Sequence, residues 1–88
     1  MTDQQHDELV KRMSVLNERM EERGAMIGKL SWLGARFPDD DLHGRFEAIK
    51  AEAKRRNEID ARSYGKLEET YRLLGGPEWE RENIEAAV

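Results

Sequence analysis

The stretch G-A-M-I-G-K-L-S-W-L-G-A-R-F, residues 24–37, holds three glycines and one of the chain's two tryptophans. It continues an apolar pattern that reads as helix. Each glycine in an exposed helix costs about 1 kcal/mol relative to alanine. At about 100° per residue, Gly24, Gly28, Ser31 and Ala35 fall on one line. Ile27, Leu30 and Phe37 flank that stripe on one side and Trp32 on the other, while Met26 and Leu33 lie nearly opposite. Lys29 and Arg36 form the remaining polar strip. A helix that is small or apolar over most of its circumference is buried by more than one neighbour. The expectation is therefore a second hairpin packed here, with the small residues allowing close backbone approach. The alternative is a kink at Gly24 or Gly28.

Outward from this stretch the chain divides into two matched helices. Thr2-x-x-Gln5 is a capping-box pattern that starts the first. Its apolar beat is Leu9, Met13, Leu16, Met20, Ile27, Leu30 and Phe37, interrupted by Arg23 and with Gly34 as a blank position. Pro38 stops it, because the residue before a proline disfavours helical geometry. Pro38-Asp39-Asp40-Asp41 then forms a turn and a fresh cap. The second helix carries Leu42, Phe46, Ile49, Ala53, Ile59, Tyr64, Leu67, Tyr71 and Leu74, and Gly75-Gly76-Pro77 ends it. The expected bounds are about 3–36 and 40–74, each helix being about 50 Å long. Equal lengths and a short link imply an antiparallel hairpin over residues 1–76. Residues 77–88 follow as a tail or short third helix, anchored by Trp79 and Ile84.

Composition sets the limits on this all-α fold. The chain has 88 residues, of which 39% are charged, and its net charge is −4. A lone hairpin of this size buries too little to offset chain entropy of about 1.5 kcal/mol per residue. Dimerisation into a four-helix bundle is the simplest remedy. The alternative is a monomer over which the C-terminal segment folds, with Trp79 covering the hairpin. No cysteine is present, which excludes disulfides and thiolate metal sites and fits a cytoplasmic setting. No apolar run approaches a membrane span. Lys50, Lys54, Arg55, Arg56 and Arg62 make the most basic segment. Glu47, Glu52, Glu58 and Asp60 interleave with them, so a solvated face with i,i+4 pairs is expected and nucleic acid is not.

Catalytic chemistry finds little foothold. Asp40-x-x-His43 would place a carboxylate and an imidazole on one helical face, but the aspartates read as caps and no second such pair exists. Ser14, Ser31 and Ser63 lie in helical context without a nucleophile elbow or phosphate loop. No catalytic residue, metal or cofactor is expected.

Two short segments resemble known families. M-S-V-L-N-E-R-M, residues 13–20, resembles the first helix of the all-helical chorismate mutases, which are intertwined dimers with inward arginines. Val10 stands where that family would place an arginine, and no catalytic residue carries over. Trp32-Leu33-Gly34 with Tyr64-x-x-x-Glu68 is similar to the signals of small secreted helical hairpins of the WXG100 type, which implies export. Here the Trp-x-Gly precedes the Pro-Asp-Asp-Asp turn. The residues themselves point to a non-enzymatic interaction or assembly protein that pairs with itself and with another protein. Leu9, Met13, Leu16, Met20, Gly24, Ile27, Gly28, Leu30, Phe37, Phe46, Ile49, Ile59, Leu67, Tyr71 and Leu74 are its expected core and self-association residues. Trp32, Leu33 and Trp79 are the candidates for partner contact, since aromatic anchors carry a disproportionate share of binding energy.

Overall fold

The computed structural model describes residues 1–39 and 41–87, with side chains through Asn83. Helix α1 spans Asp3–Arg36, α2 spans His43–Leu73 and α3 spans Gly76–Ala87. The first two pack against each other as an antiparallel hairpin. Gly34 near the end of α1 meets His43 at the start of α2, and His6 at the other end of α1 meets Tyr71. The expected capping box starts α1. Thr2 Oγ1 accepts from the Gln5 amide at 3.2 Å, and Gln5 Oε1 accepts from the Thr2 amide at 2.9 Å. The helix stops at Phe37, directly before Pro38. It does not break at Gly24 or Gly28. Helix α2 starts at His43, later than the expected residue 40. The cap expected at Asp39–Asp41 falls partly on Asp40, which lies outside the described residues.

The seam is regular in both helices. In α1 the shielded residues run His6, Leu9, Met13, Leu16, Met20, Arg23, Ile27, Leu30 and Gly34, in steps of three and four. In α2 they run His43, Phe46, Lys50, Ala53, Asn57, Asp60, Tyr64, Leu67 and Tyr71, in the same steps. Arg23 thus belongs to the seam it was expected to interrupt. Ile49 and Ile59 lie outside the seam, and Lys50, Asn57 and Asp60 take the inward positions. The strict three–four spacing, once started at Phe46, selects residues by position whatever their polarity.

The polar positions satisfy one another across the seam. Asp60, 5% exposed, accepts from Arg19 Nη2 at 2.9 Å and from Arg23 Nη1. Asn57 Nδ2 donates to the Met20 carbonyl at 3.2 Å, and Asn57 Oδ1 lies 3.4 Å from Arg23 Nη1. A buried carboxylate is tolerated only when paired and hydrogen-bonded. Slipping α2 by one heptad would put Leu16 or Leu30 in place of Arg23, the more shielded of the two arginines, so this layer favours the observed register.

The far end is closed by two glycines with different tasks. Gly75 has φ +77°, the left-handed geometry that ends α2. Gly76 lies under the Tyr71 ring, where a Cβ would stand 2.3 Å from the ring carbons. The Tyr71 hydroxyl donates to the Gly76 carbonyl at 3.2 Å. Helix α3 then turns back, and Trp79 stacks on His6 with centroids 4.0 Å apart. The Ile84 anchor lies beyond the described side chains.

Candidate interaction surface

The hairpin is long and thin. It measures 60 × 25 × 15 Å, with a radius of gyration of 18.8 Å. A compact chain of this length would have about 12 Å. Its accessible surface is 6858 Å², whereas a compact monomer of this mass would expose about 5,400 Å². The excess of about 1,500 Å² compares with the roughly 800 Å² each partner buries in a standard interface. Among the described residues no large side chain is fully buried. Two helices in contact leave both flanks of their seam open, which is the geometric cause.

Exposed apolar side chains occur at both ends of the hairpin: Val10, Val15, Leu73 and Leu74 at the open end, by 39 to 77%, and a second group toward the bend. Met26, Trp32, Phe37, Leu42 and Ile49 are exposed by 39 to 61%. Met26 and Ile49 line one shallow depression between α1 and α2, with Ala48 and Ala53 as its floor. Its rim carries both signs of charge: Arg23, Arg56 and Glu52. Glu52 accepts from Arg55 at 2.6 Å and from Arg56 at 3.0 Å, and these two hydrogen bonds, Arg55's first, pull its carboxyl down to about 2. Lys50 pairs with Glu47 at 2.7 Å. The central basic segment is therefore laced with i,i+3 and i,i+4 pairs, as its interleaved glutamates suggest.

The small-residue stripe lies on the opposite flank. Gly24 and Gly28 are exposed, and a Cβ at either would meet nothing within 4 Å. Neither glycine serves the intrachain seam. Gly34 does: a Cβ there would sit 3.4 Å from the His43 ring. Of the partner-contact candidates, Trp32 is 61% exposed with the Arg36 guanidinium 5.5 Å from its ring centre. Leu33 is half-buried, and Trp79 is half-buried on His6. Of the remaining core candidates, Phe37, Ile49, Ile59 and Leu74 are exposed by 41 to 48%.

A second groove runs along the open half of the hairpin, opposite the bend. Its floor is Val15, Leu16 and Leu67, and its rims carry Lys11, Arg12 and Lys66 against the single acid Glu8. Spacing within either helix does not disclose this groove, because its cations come from the start of α1 and the end of α2.

At the same end of the hairpin, Tyr71 is held by burial first and then by the Glu80 carboxylate, which together push its hydroxyl up to about 12. Among the described residues no three His, Asp or Glu side chains group as a metal ion requires. Nor, among the described residues, is any helix long and apolar enough to cross a membrane. Comparison of the chain with protein-family models, with curated proteins and with solved structures finds no match, so its functional reading rests on these surfaces.

Proposed function

We propose that this chain is a small non-enzymatic interaction protein. Two copies associate through the bend half of the hairpin, closing a four-helix bundle there, and the dimer binds a further protein in a cytoplasmic setting. The observation that carries this reading is the open core: among the described residues no large side chain is fully buried, while Met26 and Ile49 stand 39% and 45% exposed over one depression. Full burial of such a side chain from water contributes about 1.5–3 kcal/mol, so covering the exposed part of these two contributes about 1 kcal/mol each. The mixed-sign rim of Glu52 and Arg56 suits a second copy, because a two-fold axis can set the arginine of one copy against the glutamate of the other. Trp32 lies toward the same end and adds an aromatic anchor at the bundle's edge.

The test is the pair Met26→Lys and Ile49→Lys, made together and followed by light scattering after size exclusion. A monomer of reduced helicity is expected. A double variant that elutes with the mass of the native assembly would place the interface elsewhere.

A further inference from the structure

The groove at the open end of the hairpin differs from the bend depression in one respect that decides its occupant. Its charge is predominantly positive. Lys11, Arg12 and Lys66 ring an apolar floor with Glu8 as the lone acid, on a chain whose net charge is −4. None of these three cations has an ion-pair partner among the described residues, whereas Lys50, Arg55 and Arg56 each hold a glutamate. Arg19, at the inner end of the groove, is committed to Asp60. A second copy docked groove to groove would set cation against cation, so self-association does not explain this surface.

We propose that this groove receives an acidic amphipathic helix of a partner protein. The apolar floor of Val15, Leu16 and Leu67 takes the partner's apolar stripe, and Lys11, Arg12 and Lys66 pair with glutamates or aspartates flanking it. From Glu8 to Arg19 the groove follows α1 for about 16 Å, the length of a three-turn helix. Duplex nucleic acid shares the preference for cations, but the floor here is aliphatic and the cations are few. The proposal rests on the reading of the chain as an interaction protein and names the partner's chemistry at a surface apart from the dimer contact.

The test is a display library of helical peptides about 15 residues long. Leucine is fixed at i, i+3, i+4 and i+7, and the flanking positions vary among Glu, Lys and Ser. The full-length chain is the bait. Glutamate is expected to be enriched on both flanks. A synthetic peptide of the winning sequence is expected to bind at least about tenfold more weakly to a Lys11→Glu, Lys66→Glu double variant whose helicity is unchanged. Val15→Asp is expected to weaken it comparably without altering rim charge. Enrichment of lysine or serine, recovery of no peptide, or equal binding by both variants would overturn the proposal. So would a short duplex DNA that displaces the winning peptide at about 0.15 M salt. Each of these failures leaves the dimer reading standing, since the native mass is measured without peptide.

Discussion

Replacing Asp60 by alanine removes the acceptor that two arginines share inside the seam. The Asp60 side chain is 7% exposed, Arg23 20% and Arg19 49%. Breaking a buried ion pair from one side costs about 3–5 kcal/mol, mostly because the remaining charge is left without a partner. Arg19 is exposed enough to turn toward water, so its share is discounted, while Arg23 stays confined beside Asn57. About 2–4 kcal/mol is therefore expected for Asp60→Ala. For a domain of this size that lowers Tm by about 10 °C or more. Thermal unfolding followed by circular dichroism at one fixed protein concentration reads the shift, since association makes Tm concentration-dependent. The decisive control is the cycle with Arg23→Met, in which the two losses should fall short of additive by about 1 kcal/mol or more. Additive losses, or an Asp60→Ala protein within about 0.5 kcal/mol of the native one, would refute the view that this layer favours the observed register.

Other consequences concern the closed end and the two flanks. Gly76→Ala places a Cβ against the Tyr71 ring, so α3 should detach and Trp79 fluorescence should shift to the red while most helicity survives; an unchanged emission maximum would contradict the packing. Because the folded-state value for Tyr71 is raised to about 12 and the unfolded value is about 10, the unfolded chain loses this proton first. The neutral hydroxyl therefore stabilises the fold fully below about pH 10, and that contribution is lost as pH rises toward 12. A tyrosinate absorbance titration of the native chain compared with Tyr71→Phe should show one late-titrating tyrosine disappear. Gly28→Leu fills open space in the isolated chain and removes a helix-weakening glycine. Helicity should rise and the dimer should persist; dissociation would instead assign the interface to the small-residue stripe.

Much of this fold was legible in residue spacing, and the parts that were not have a common cause. The capping box at Thr2 and Gln5, the stop at Phe37 and the break at Gly75-Gly76 are local, so a few adjacent residues specify them. The α1 seam was readable because its apolar residues hold a three–four rhythm. In α2 apolarity and position part company. Ile49 and Ile59 follow the apolar pattern yet stand off the seam, Ile49 on its flank beside Met26, while Lys50, Asn57 and Asp60 take the inward positions. Arg23 explains the difference, because an inward cation on one helix calls for an inward acid on the other, and no single-helix pattern displays that dependence. The groove of Lys11, Arg12 and Lys66 was hidden for the same reason: it exists only after two distant segments meet.

The proposed dimer rests on one hairpin being unable to shield its own apolar surface. Sedimentation velocity of the unaltered chain, diluted from micromolar to nanomolar, tests it most directly. The account predicts a species of twice 10.3 kDa at the upper end that dissociates on dilution, with loss of helicity as the hairpins separate. A stable, fully helical 10.3 kDa monomer across the whole range would contradict it.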